Sequence, residues 1–117
     1  MSELTTQGLT DALRAFARER NWEQFHAPKN LALSVLIEAA EIAEHFQWVD
    51  PRDSAALSAD TKAQVALEIG DTLLYLLRLA DVLGIDPLAA AAEKMRINAE
   101  RYPVEKAWGR STKYDAL

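Results

Sequence analysis

The chain has 117 residues, half of them hydrophobic and 26% charged, with a net charge of −5. That length fits a single domain over residues 1–117 with a small core, and the acidic balance argues against binding polymeric nucleic acid or a membrane surface through bulk charge. With no cysteine, disulfides, thiolate nucleophiles, zinc–thiolate sites and iron–sulfur clusters are excluded. The opening residues hold no continuous apolar run of the secretory kind, and no stretch is long enough to span a bilayer, so a cytoplasmic protein is expected.

Thr5 or Thr6 is placed to cap a first helix through LTDALRAFARER, with Leu9, Leu13 and Phe16 on one face and Arg14 and Arg18 on the other. The stretch NWEQFHAPKN is polar, aromatic and broken by Pro28, and reads as a structured loop. A second helix is predicted from near Asn30, itself a candidate cap, to about Val49. DPRDSAALSAD connects it to a third helix from about Thr61 to Leu83, with Ser58 or Asp60 as cap and Gly84 as the C-terminal stop. Asp86 caps a fourth helix with Pro87 at the favoured first position, and Pro103 ends it. The tail, VEKAWGRSTKYDAL, is basic in its middle and aromatic. No period-two alternation lasts beyond a few residues, so no strand is expected and the fold is all-α with four main helices.

The second and third helices carry an unusual polar pattern. At about 100° per residue, Ser34, Glu38, Glu41 and His45 share an arc of roughly 60° between apolar walls. Glu68 and Asp71 share a similar stripe with Gln64, Tyr75 and Arg78, and most of the remaining helix is apolar. Such acids are ordinarily surface residues on helix edges. Like-charged carboxylates one turn apart cost a few tenths of a kcal/mol each, and partial burial adds several times that. Two such pairs on consecutive, otherwise apolar helices call for an offset. Arg78 is the one basic residue on either stripe. A hard divalent cation, Mg²⁺ or Mn²⁺, is the natural alternative. Di-iron or di-manganese sites of helical bundles use Glu-x-x-His pairs, whereas here residue 41 is Glu and residue 71 is Asp. Mg²⁺-dependent phosphate chemistry is the other option.

Glu38-Ala-Ala-Glu41 followed by Glu68-Ile-Gly-Asp71 resembles the signature of the MazG-like all-α nucleoside triphosphate pyrophosphohydrolases. WEQFH, EHFQW, EIGDTLLYLLRLAD, KMRINAERYP and STKYDAL are similar to the branch of that family that acts on dCTP, and the resemblance runs from about Leu9 to Leu117. It implies a four-helix bundle-like fold assembled as a homodimer or homotetramer. It implies hydrolysis of a nucleoside triphosphate, a pyrimidine deoxynucleotide such as dCTP or modified dCTP, to the monophosphate and pyrophosphate. Glu38, Glu41, Glu68 and Asp71 would hold Mg²⁺, with Glu38 or Glu41 as the candidate catalytic base. Ile37 stands where the longer enzymes carry a further glutamate, and Leu13 stands where vertebrate members carry a histidine near the base.

Other residues are weighed beside these. Lys94 and Asn98 share a face of the fourth helix, which by itself describes a solvated edge; the resemblance places them, with Arg101 one turn on, at the nucleotide. Tyr75 follows Asp71 by one turn and is a candidate sugar contact. Trp22 and Trp48 are candidate stacking partners for a base, although large rings are as often core. His45 reads as support or packing beside the acids, Glu44 as a candidate for a second ion, and His26 as a loop histidine. Helices so apolar around their circumference need cover, which points to self-association. Two competing readings are a catalytically silent helical dimer that binds a partner, and a dUTP- or phosphoribosyl-ATP-type phosphohydrolase on the same scaffold.

Overall fold

The computed structural model describes residues 4–117, and their regular elements are all helices, with no strand among them. Residues 1–3, included in the expected single domain, lie outside the described residues. The described chain falls into two compact units, one ending at Gly84 and the other spanning Ile85–Leu117.

The first unit holds α1 (Thr6–Glu19), α2 (Pro28–Glu44) and α3 (Ala59–Val82). α3 is the common partner, with α2 packed along it most extensively and α1 against it as well. Thr5 caps α1, its hydroxyl accepting from Gly8 N–H at 2.9 Å. The other end of α1 closes as a Schellman turn: Asn21 sits at φ 54°, Asn21 N–H donates to the Arg18 carbonyl and Trp22 N–H to that of Ala17. This turn fixes where Trp22 leaves the helix. A short 3₁₀ turn, Glu23–Phe25, follows.

α2 differs from its predicted bounds at both ends. Pro28 occupies the first turn rather than breaking the chain before it, because proline's missing N–H is an orphan there in any case. Asn30 is therefore inside the helix, and its side-chain amide donates to the Phe25 carbonyl. The helix ends at Glu44, five residues short of Val49, and Phe46 and Val49 continue in turn-type hydrogen bonds. Ser58 caps α3 by accepting from Thr61 N–H, and Gly84 at φ 68° follows its C-cap, Leu83.

The buried apolar residues among those described are Ala17, Leu31, Val65 and Leu77, one or two from each helix of this unit. Large apolar side chains remain exposed on the outer faces: Leu33, Leu36 and Ile37 on α2, Leu67, Ile69 and Leu73 on α3. The second unit holds α4 (Pro87–Arg101) and α5 (Val104–Ala107), then a 3₁₀ turn at Tyr114–Ala116. Asp86 caps α4 with Pro87 at its start, as the sequence predicts. The tail is ordered by its own contacts: Arg101 lies over the Tyr114 ring at 4.4 Å, and Tyr102 meets the same ring edge-on.

Candidate functional site

The α2–α3 packing brings the acidic stripes together. Glu38 feels the charges of Glu41, Asp71 and Glu68 at once, and its carboxyl lies close enough to that of Glu41 to share a proton. Burial first, then proton sharing with Glu41, then repulsion from the three neighbours push the Glu38 carboxyl above its ordinary value. Glu38 Oε2 and Glu68 Oε2 are both buried without a hydrogen-bond partner. His45 Nε2 approaches Glu68 Oε2 at 2.7 Å, an ion-pair distance rather than an aligned hydrogen bond. The sequence expectation of support beside the acids fits this position.

Glu38 Oε2 is left without a partner and Glu68 Oε2 meets only the edge of His45, an arrangement that is costly unless something positive joins it. The donor set is all oxygen with one imidazole at its edge, which suits a hard divalent ion. Among the described residues no three side chains are drawn into a finished ligand cluster; four mutually repelling carboxylates converge without closing on a point. Arg78 does not serve as their counter-ion. Its guanidinium turns instead to His26 and Asp81.

Beside the acids, α1, the loop after it and α3 enclose a cavity of about 490 Å³, the size of a small-molecule site. Leu9, Ala12, Leu13 and Phe16 of α1 make an apolar wall. Trp22 and His26 come from the loop, and Trp22 meets Phe16 edge-on at 5.7 Å between ring centres. α3 supplies Asp71, Leu74, Tyr75 and Arg78. Asp71 thus belongs to both the acidic cluster and the cavity wall.

Of the residues expected at a site, Glu38, Glu41, Glu68 and Asp71 come together, and Trp22 and Tyr75 line the cavity that Asp71 joins to them. Trp48 does not line it. The early end of α2 carries Trp48 into a turn where the residue is 89% exposed. Lys94, Asn98 and Arg101 lie on α4 in the second unit. Sequence reasoning missed Phe16 as a cavity residue and the chain of contacts behind His26. Arg14 donates from Nε to Asp81 at 2.8 Å and pairs with it a second time through Nη2. Asp81 also takes Arg78 Nη1, and Arg78 Nε donates to His26 Nδ1 at 3.0 Å.

These features define a class: an all-helical scaffold with clustered carboxylates on two packed helices, opening onto an apolar cavity. The comparisons place the chain within it. The MazG-like family matches residues 33–117, and the chain belongs to that family. It is similar to dCTP pyrophosphatase 1 of Rattus norvegicus, 41% identical over 104 residues, covering 87% of this chain and 61% of the relative. The Bos taurus protein of the same name is 38% identical over 118 residues, covering 99% of this chain and 70% of the relative. The chain therefore spans about three fifths of the rat protein's length. Its fold matches the crystal structure of a pyrophosphatase from Archaeoglobus fulgidus with a TM-score of 0.80 and 40% identity, over 88% of this chain and 96% of that one.

Proposed function

We propose that this chain is a Mg²⁺-dependent nucleoside triphosphate pyrophosphohydrolase. Its substrate is a pyrimidine deoxynucleotide, dCTP or a modified dCTP foremost, cleaved to the monophosphate and pyrophosphate in the cytoplasm to keep the nucleotide pool clean. The observation that carries this reading is the acidic cluster with the buried, unpartnered Glu38 Oε2, joined through Asp71 to an apolar cavity. One end suits a cation and the phosphates it neutralises; the other suits a flat base. The names of the similar proteins, dCTP pyrophosphatase and pyrophosphatase, agree with it.

Glu38, Glu41, Glu68 and Asp71 are the residues that would hold Mg²⁺, or Mn²⁺ in its place. Bound there, the ion would supply positive charge to the phosphate oxygens and would make the attacking water more acidic. A carboxylate of Glu38 or Glu41 takes the proton of that water as its oxygen bonds to the α-phosphorus and the bond to the bridging oxygen breaks, releasing pyrophosphate. His45 braces Glu68. Trp22 stacks on the base, and Tyr75 sits at the sugar. Trp48, Lys94, Asn98 and Arg101 join the nucleotide site on the strength of the resemblance alone. The four-helix bundle-like fold assembles as a homodimer or homotetramer, for which the exposed apolar faces of α2 and α3 are the support.

A pyrophosphate-release assay over a nucleotide panel with Mg²⁺ tests the reading. Turnover of dCTP that falls by at least about a hundredfold in Glu38→Gln is the expected result, since such a change removes a ligand and a candidate base together. Turnover centred on dUTP or a phosphoribosyl nucleotide would move the substrate within the same scaffold. No turnover, with no rise in Tm on adding Mg²⁺, would leave a silent helical assembly.

A further inference from the structure

Arg78 is the one arginine or lysine on the cavity wall, and its donors are not all spent. A guanidinium carries five N–H donors and no acceptor. Nε donates to His26 Nδ1 at 3.0 Å and Nη1 to Asp81 at 3.3 Å. Nη2 has no hydrogen-bond partner among the described residues. It is not one of the buried atoms left without a partner, so an opening remains in front of it. The group is held in place. Its side chain is 10% exposed, the loop fixes it through His26, and Asp81 is itself gripped from α1 by Arg14 at 2.8 Å. The wall that α1 gives the cavity, Leu9, Ala12, Leu13 and Phe16, offers no side-chain acceptor.

Asp71, Tyr75 and Arg78 follow one another along a single face of α3. At about 1.5 Å of rise per residue, Arg78 stands about 10 Å beyond Asp71 along the helix. We propose that Arg78 is a specificity-determining residue: its Nη2 donates to an oxygen on the ring edge farthest from the sugar, so that the site takes the 4-oxo pyrimidines, uracil and thymine, in addition to cytosine. This rests on the reading of the cavity as the base site and widens the substrate class proposed for it. With phosphates beside Asp71 and the sugar at Tyr75, position 4 of a pyrimidine points toward Arg78, because it lies across the ring from the nitrogen that bears the sugar. Uracil and thymine carry a carbonyl oxygen there, an acceptor for the guanidinium. Cytosine carries an amino group, a donor that leaves Nη2 unpaired. The matched hydrogen bond is charge-assisted, and a polar site that loses its match discriminates strongly. Asp81 and Arg14 are positioning residues that aim the guanidinium.

The test measures binding of dUMP, dCMP and 4-thio-dUMP to the whole chain with Mg²⁺ present. Arg78→Met should weaken dUMP about tenfold, the size of one hydrogen bond to a charged group, and dCMP by clearly less. In turnover the loss for dUTP should fall in KM rather than kcat. A merely structural role for Arg78 would weaken both monophosphates alike, so the ratio between them carries the result. The sulfur probe supplies a comparison that leaves the protein intact. It keeps the shape of uracil but replaces O4 by a poor acceptor, so the parent protein should bind it more weakly than dUMP, and that gap should shrink in Arg78→Met. Equal losses of dUMP and dCMP, no loss of either, a parent protein that binds 4-thio-dUMP as well as dUMP, or one that binds no probe at all overturns the assignment. The failures are separable. A dependence of dUMP binding on Arg78 without turnover of any triphosphate would sink the proposed activity alone, while dCTP turnover with an Arg78 indifferent to the ring would sink only this inference.

Discussion

Asp81 lies between two arginines. Its side chain is 12% exposed and accepts from both Arg14 and Arg78. The Arg14 hydrogen bond first, then the charges of Arg14 and Arg78, hold it below the ordinary aspartate value against an opposing effect of burial. A carboxylate with a depressed folded pKa adds stability that is fully present above its unfolded value, about 3.9, and that disappears as pH falls through the folded value. Asp81→Asn should therefore lower Tm at pH 7, and the gap to the parent protein should close in acid; a gap that persists unchanged to low pH would contradict this origin. None of the chain Arg14–Asp81–Arg78–His26 was legible beforehand. Its contacts join residues 67 and 52 positions apart, and Arg78 shares a helical stripe with Glu68 and Asp71, which suggested a different partner. The four clustered acids were legible because their spacing put each pair on one narrow arc.

Helix starts followed the local rules where a capping side chain was present. Thr5, Ser58 and Asp86 each cap the helix expected of them. α2 is the exception, since its N-cap is Ala27, with no side-chain hydrogen bond, and its first turn is marked by Pro28 alone. A proline can end one segment or begin the next, and the sequence does not distinguish the two. Its far end was misjudged because His45–Val49 keep helical composition while the backbone turns. The short helices Glu23–Phe25, Pro51–Asp53 and Val104–Ala107 lack the length for a periodic signal. For α4, the Asp86 carboxylate accepts from both Leu88 and Ala89 N–H, so Asp86→Ala should cost about 1 kcal/mol of stability. Denaturant unfolding read by circular dichroism would check this, and an unchanged midpoint would show that the cap is dispensable.

At the scale of the molecule, a small interior contrasts with generous apolar surface. Leu36 and Leu67 are 65% and 75% exposed on helices that are themselves well packed against each other. Surface of this kind marks an interaction face. Sedimentation should find the protein at twice its chain mass or more, and the pair Leu36→Glu with Leu67→Glu should shift it toward the monomer. A parent protein that sediments as a single chain would remove the argument for self-association. The sequence pointed to unmet apolar cover through the composition of the two helices, but the number of copies depends on how faces fit, which periodicity does not encode.

Asp71 gives the site a direction. Because this one side chain closes the acidic patch and also borders the greasy chamber, a guest with a ring at one end and anionic groups at the other has a single way to lie. On the proposed function, choosing the ring and gripping the tail share one helical turn, so that a poorly seated ring would be felt at once where the charge must settle.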